Sequence, residues 1–178
     1  LLCRSFLHER IVMTLSVMPV HAWEFDSSLA DAVGGWTLSG TVTYGTGKLG
    51  NALNQLKYAN HTSGVYLFAA GDWSISAWVK PTNSYSGDNL VFLQIGGIDC
   101  YITATNVGTD QITVVDTEGN GIIASNTPAS LFTLNTWHHI VITRASAGNV
   151  LKMYLNGTLI RTTTLVAITD AYGTVACG

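Results

Sequence analysis

The chain has 178 residues, enough for one domain with a sizeable core. Hydrophobic residues make up 47% and charged residues only 11%, against about a quarter in average domains, a balance that excludes a disordered chain. Net charge is -3 with 8 Lys and Arg in all, too few for the basic patch that nucleic-acid binding requires.

Residues 1–19 read as an N-terminal arm or leader. Arg4 and Arg10 precede an apolar run over 11–20, and Val20-His21-Ala22 offers the small residues of a secretory cleavage site. Against cleavage stand Pro19 and a strand expected over 20–25. From residue 20 to 178 the pattern is that of one domain, without repeat or linker. Residues 26–35 are a loop of polar and small residues. Residues 36–44 alternate, with Trp36, Leu38, Val42 and Tyr44 set between threonines and a serine, and Gly40 interrupting. A turn over 45–47 leads to a strand over 49–56, a loop over 58–63 and a short strand over 65–68. The stretch 73–80 is a clear strand: Trp73, Ile75, Ala77 and Val79 share one side, Ser74, Ser76, Trp78 and Lys80 the other. Pro81 ends it.

A Ser/Asn/Gly loop follows over 82–89, then strands over 90–95, 100–105, 111–116 and 122–125. The last two pair across Glu118-Gly119-Asn120-Gly121. Residues 137–164 form three runs rich in β-branched and aromatic residues, joined by Ser146-Ala147-Gly148-Asn149 and Asn156-Gly157. Asn-Gly between apolar runs signals a hairpin, because a type I′ turn needs φ > 0 at both central residues. A three-stranded antiparallel meander is predicted here. About a dozen short strands with turn signals roughly every 8–12 residues mean a sandwich or barrel. No run of about 18 apolar residues exists, so no transmembrane helix is expected.

Three blocks carry a family likeness. Trp137-His138-His139-Ile140-Val141-Ile142-Thr143-Arg144 with the 148–160 hairpin resembles the late hairpin of the concanavalin A-like lectin/glucanase superfamily, in its laminin G-like branch. Trp73-Ser74-Ile75-Ser76-Ala77-Trp78-Val79-Lys80-Pro81 is similar to a second family strand. Trp23-Glu24-Phe25-Asp26, with Gly47-Lys48-Leu49-Gly50-Asn51-Ala52-Leu53, matches the opening segments. The resemblance spans roughly residues 20–164 and implies an all-β, two-sheet antiparallel β-sandwich of jelly-roll type. The family's closing strand has no match after Thr164. The domain is therefore expected to lack it, leaving an open sheet edge that the 11–20 stretch, the 165–175 tail or another molecule fills.

The candidate sites are few. A glycosidase needs two carboxylates about 5–9 Å apart. The three glutamates, Glu9, Glu24 and Glu118, form no Glu-x-Asp-x-x-Glu motif, so no catalytic residue is assigned. His138 and His139 point to opposite faces of a strand and do not chelate one ion together. The resemblance implies calcium held by loop oxygens, with Asp26 and Asp31 as ligands; the plain alternative is an Asx-turn. Glycan contact needs rings beside amide and carboxylate groups. Tyr85 with Asn83 and Asp88 in the 82–89 loop, and Trp36, are the candidates, whereas Trp23, Trp73, Trp78 and Trp137 read as core. Asn60-His61-Thr62 and Asn156-Gly157-Thr158 match the glycosylation acceptor pattern, the second better explained as a turn. Cys3, Cys100 and Cys177 form no C-x-x-C pair, and Cys100 reads as a small buried hydrophobe.

The expected function is a non-catalytic carbohydrate-binding or adhesion module, secreted or at a surface, with a glycan or glycoprotein as partner. The alternative is a self-assembling structural subunit of a virion, phage or extracellular assembly, forming homo-oligomers through the open edge. A glycoside hydrolase is the minor alternative.

Overall fold

The computed structural model describes residues 2–3, 22–30, 32–35, 37–54, 59–62, 71–81, 89–95, 98–104, 110–116, 121–125, 132–164 and 174–177. Its strands are β1 (Leu2–Cys3), β2 (Ala22–Trp23), β3 (Thr43–Thr46), β4 (Asn51–Asn54), β5 (Ala59–Thr62), β6 (Trp73–Val79), β7 (Asn89–Ile95), β8 (Ile98–Ala104), β9 (Asp110–Asp116), β10 (Gly121–Ser125), β11 (His138–Ala145), β12 (Val150–Leu155), β13 (Thr158–Thr164) and β14 (Thr174–Cys177). Among the described residues they form two six-stranded sheets, ordered β13-β12-β11-β6-β1-β2 and β10-β9-β8-β7-β14-β5. A small β3–β4 hairpin stands apart. Pairing is antiparallel except at β1, which lies parallel to both β2 and β6. This is the two-sheet β-sandwich that the family resemblance implies, within the sandwich-or-barrel class that alternation and turn spacing indicate.

The predicted meander over 137–164 is present as β11, β12 and β13. Its inner face is the best-packed part of the described core. Ile140 and Ile142 alternate along β11, Leu151, Met153 and Leu155 along β12, and Ile75 and Ala77 along β6, all buried. Register aligns them in rows, Ala77 beside Ile140 beside Leu155, and Ile75 beside Ile142 beside Met153. Each large aliphatic side chain so buried contributes roughly 1.5–3 kcal/mol, and slipping any strand by one residue would turn its apolar set outward.

The β12–β13 hairpin closes at Asn156 (φ 50) and Gly157 (φ 82), both left-handed as a type I′ turn requires. The looser turn before β12 ends in Gly148 and Asn149, also at positive φ.

Two local expectations differ from the structure. Residues 58–63 read as a loop, yet β5 occupies Ala59–Thr62 because β14 pairs along it. Residues 36–44 read as one alternating strand, yet regular pairing begins only at Thr43. Before it, the described ladder is an isolated bridge between Ala30 and Thr37, with Gly40 interrupting the run. The C-terminal strand β14 sits between β7 and β5 in the second sheet. Cys3 and Cys177 therefore lie in strands of different sheets. The pairing expected of residues 11–20 and the strand expected over 65–68 fall outside the described residues.

Candidate functional site

The two adjacent histidines divide the first sheet into a structural and a displayed face. His138 points inward and is 4% exposed. Its ring meets Phe132 edge to face, with centroids 5.0 Å apart. Asn156 Oδ1 accepts from His139 N at 2.9 Å, which turns the Asn156 amide nitrogen toward His138 Nδ1 at 3.3 Å. On the other side of the ring Thr133 N donates to His138 Nε2 at 3.2 Å, and Thr133 O lies 3.1 Å from the same nitrogen. His138 is thus a strut between the hairpin turn and the segment before β11.

His139 points the other way. Its ring stacks on Trp78, its cross-strand neighbour, with centroids 4.9 Å apart and planes 24° from parallel. Ser76 Oγ lies 2.8 Å from His139 Nε2. Register extends this outer face across four strands. Ser76 stands beside Val141, Tyr154 and Leu159, and Ser74 stands beside Thr143, Lys152 and Thr162. Trp78, His139, Ser76 and Tyr154 are half-buried, Lys152 and Leu159 exposed. Rings and hydroxyls share the face with one strand-borne ammonium. Strands β6, β11, β12 and β13 contain no Asp or Glu.

A second cation reaches this face from the β3–β4 hairpin. Lys48 Nζ sits 5.2 Å from the Trp78 ring centroid, a cation–π placement. The hairpin is tight at its tip: Gly47 N donates to Gly50 O at 2.9 Å, and a Cβ on Gly47 would come within 2.5 Å of Asn51 O. The turn after β2 ties the hairpin down. Asp26 Oδ1 accepts from Asn51 N at 3.1 Å, and Asn51 Nδ2 donates to Ser27 Oγ at 2.8 Å. Phe25 and Ser27, on either side of Asp26, hold positive φ of 56° and 63°. Such backbone persists only where its surroundings over-determine it, and the Asn51 contacts do so here.

The far end of the same sheet is a polar knot. Arg144 is 5% exposed and points inward from β11. It donates to Gly71 O at 2.7 Å and Asn149 Oδ1 at 2.8 Å, and its Nε is buried without a hydrogen-bond partner among the described residues. Asp72 Oδ1 accepts from both Ser146 N and Ser146 Oγ at 2.6 Å. The Ser146 hydroxyl and backbone bonds hold the Asp72 carboxyl below its ordinary value, with a smaller push from Arg144.

Of the residues singled out from sequence, Trp36, Asp31, Asn83, Tyr85 and Asp88 lie outside the described residues. Asp26 is placed, and its placed role is the tie to Asn51. Among the described residues no three His, Cys, Asp or Glu side chains come together to hold a metal ion. The core reading is corrected for Trp78, which is half-buried and belongs to the displayed face, whereas Trp73 shares the inner side of β6 with Ile75 and Ala77 and its indole nitrogen is buried. The alternation that set Trp78 opposite Ile75 and Ala77 already carried that signal.

The family model Laminin_G_3, described as the concanavalin A-like lectin/glucanases superfamily, matches residues 54–178. No curated protein matches the sequence. Among solved structures the fold is similar to domain 4 of AbnA, an extracellular arabinanase from Geobacillus stearothermophilus, in complex with arabinotriose. That likeness has a TM-score of 0.61 at 19% identity and covers 86% of this chain and 80% of that one. It is also similar to the receptor-binding domain of botulinum neurotoxin type G, with a TM-score of 0.55 at 15% identity over 83% of this chain and 39% of that one. The binding domain of botulinum neurotoxin DC in complex with SialylT gives 0.53 at 15% identity, with the same coverage.

Proposed function

We propose that this chain, which belongs to the concanavalin A-like lectin/glucanases superfamily, is a non-catalytic carbohydrate-binding module that works outside the cell. One observation carries the reading: the outer face around Trp78 and His139 combines rings and hydroxyls and bears no Asp or Glu on strands β6, β11, β12 and β13. Aromatic faces take the apolar side of a sugar ring, and hydroxyl, amide and ammonium groups take its hydroxyls. Hydrolysis of a glycosidic bond asks for a pair of carboxylates, which this face does not supply. Support also comes from the AbnA domain, whose structure holds arabinotriose, and from the toxin domain in complex with SialylT. Adhesion through a glycoprotein glycan is the same chemistry on a different carrier.

A glycan array followed by calorimetry on the hits tests the reading. Binding to a defined saccharide, lost in Trp78→Ala with the fold retained by circular dichroism, is the expected result. Silence across the array, or hydrolysis of a bound oligosaccharide, would overturn it.

A further inference from the structure

Charge is sorted between the two sheets. The strands of the first sheet carry Arg144, Lys152 and Arg161 and no Asp or Glu. The described strands of the second carry Asp99, Asp110 and Asp116 and no Lys or Arg. Arg144 is spent inside, on Gly71 and Asn149. Lys152 stands exposed on the outer face, in register with Thr143 and Thr162. Lys48 is exposed too, and among the described residues its contact is the Trp78 ring, with no carboxylate beside it. In a chain of net charge -3, this face is a local island of positive charge.

We propose that the outer face of the first sheet selects acidic saccharides, polymers bearing carboxylate or sulfate groups, over neutral ones. Lys48 and Lys152 take the anionic groups, and the Trp78–His139 stack takes the ring between them. An ammonium parked on an aromatic face keeps its charge available: it exchanges a cation–π contact for a charge-assisted hydrogen bond, the stronger of the two. The two ammonium positions are four residues apart along the strands and two strands apart across them. That is about 13 Å by about 10 Å, a span for an oligosaccharide and too long for a single sugar. Asp26 enters as a positioning residue. Its bond to Asn51 holds the hairpin whose tip delivers Lys48.

The inference rests on the carbohydrate-binding reading and fails separately from it. Calorimetry on the full chain compares polygalacturonate, the same polymer with its carboxyls reduced, and a neutral arabinan. The expected result is tighter binding of the polyuronate, weakened by salt. Lys48→Gln and Lys152→Gln should each cut that affinity about tenfold and lower affinity for the carboxyl-reduced polymer far less, because glutamine keeps a donor for sugar hydroxyls and loses only the charge. Asp26→Asn should weaken polyuronate binding in part, and combining it with Lys48→Gln should add nothing further. Equal affinity for the charged and reduced polymers, or an undiminished Lys48→Gln, overturns the acidic preference and leaves the carbohydrate reading standing. No binding to any of the three polymers removes both. Equal or tighter binding to duplex DNA or to phosphatidylserine vesicles would mark the face as a general anion surface and overturn the proposal.

Discussion

At the scale of single residues the structure assigns jobs that residue type alone leaves open. Asn156 lies in a glycosylation acceptor pattern, yet both ends of its amide are engaged, by His139 N and His138 Nδ1. Replacing it with Ala leaves a buried imidazole nitrogen and removes a residue suited to φ of 50°, at a cost of about 1–3 kcal/mol. Thermal denaturation checks this, and a melting temperature equal to wild type would refute it. Gly157 tests the same turn differently. A Cβ there meets nothing within 4 Å, so Gly157→Val is penalised by its backbone at φ 82 and not by a clash, again about 1–3 kcal/mol. Asp72 supplies a pH dependence. Its folded pKa is lowered, so its contribution is fully present above the ordinary Asp value near 3.9 and is lost as pH falls through the lower folded value. Urea midpoints of wild type and Asp72→Asn should differ most above about pH 4 and converge below the folded value. A constant difference across that window would contradict the assignment.

At the scale of elements, the short strands and the hairpin matter most. Two residues of β1 separate β2 from β6, so the sheet depends on residues far ahead of β2 in sequence. A chain beginning at Val20 should lose that strand and melt earlier than the full chain; an unchanged melting temperature would show the place is not needed. The β3–β4 hairpin hangs on the Asp26 tie. Asp26→Ala should cost about 0.5–1.5 kcal/mol in the presence or absence of EDTA, because the contact is a hydrogen bond. A wild-type melting temperature that falls on adding EDTA, in a protein where Asp26→Ala abolishes the response, would instead give the carboxylate to a cation. Strand β14 shows how weak local signals become strong in place. Thr174–Cys177 has little to announce a strand, but it lies against β5 and β7 at once.

At the scale of the whole molecule, the sandwich separates a buried apolar layer from a displayed polar face and sorts its charges between sheets. The carbohydrate reading and the self-assembly alternative make different demands on that face. A binding module keeps it open, whereas an assembling subunit covers it. Light scattering over a range of protein concentration, with and without the preferred saccharide, discriminates them. A monomer that holds its mass while binding sugar fits the proposed function, and a concentration-dependent oligomer that excludes sugar would favour assembly.

Much of the fold was legible because its signals are local. Alternation in 73–80 and 137–164, the Asn156-Gly157 turn and Pro81 each act within a few residues, and the period-2 pattern names the buried face before any partner is known. What stayed hidden depends on partners distant in sequence. Nothing within residues 58–63 says strand; β14, more than a hundred residues on, makes it one. Trp78 looks like any core tryptophan until His139 is set beside it across β6–β11 and Lys48 is brought over its ring by a hairpin anchored at Asp26. The sequence by itself determined which side of each long strand is apolar, through the geometry of the extended backbone. Only the tertiary structure decided which distant strands are neighbours and which polar groups meet, because those contacts close loops from 24 residues at Ser27–Asn51 to more than a hundred at β5–β14, which no local pattern encodes.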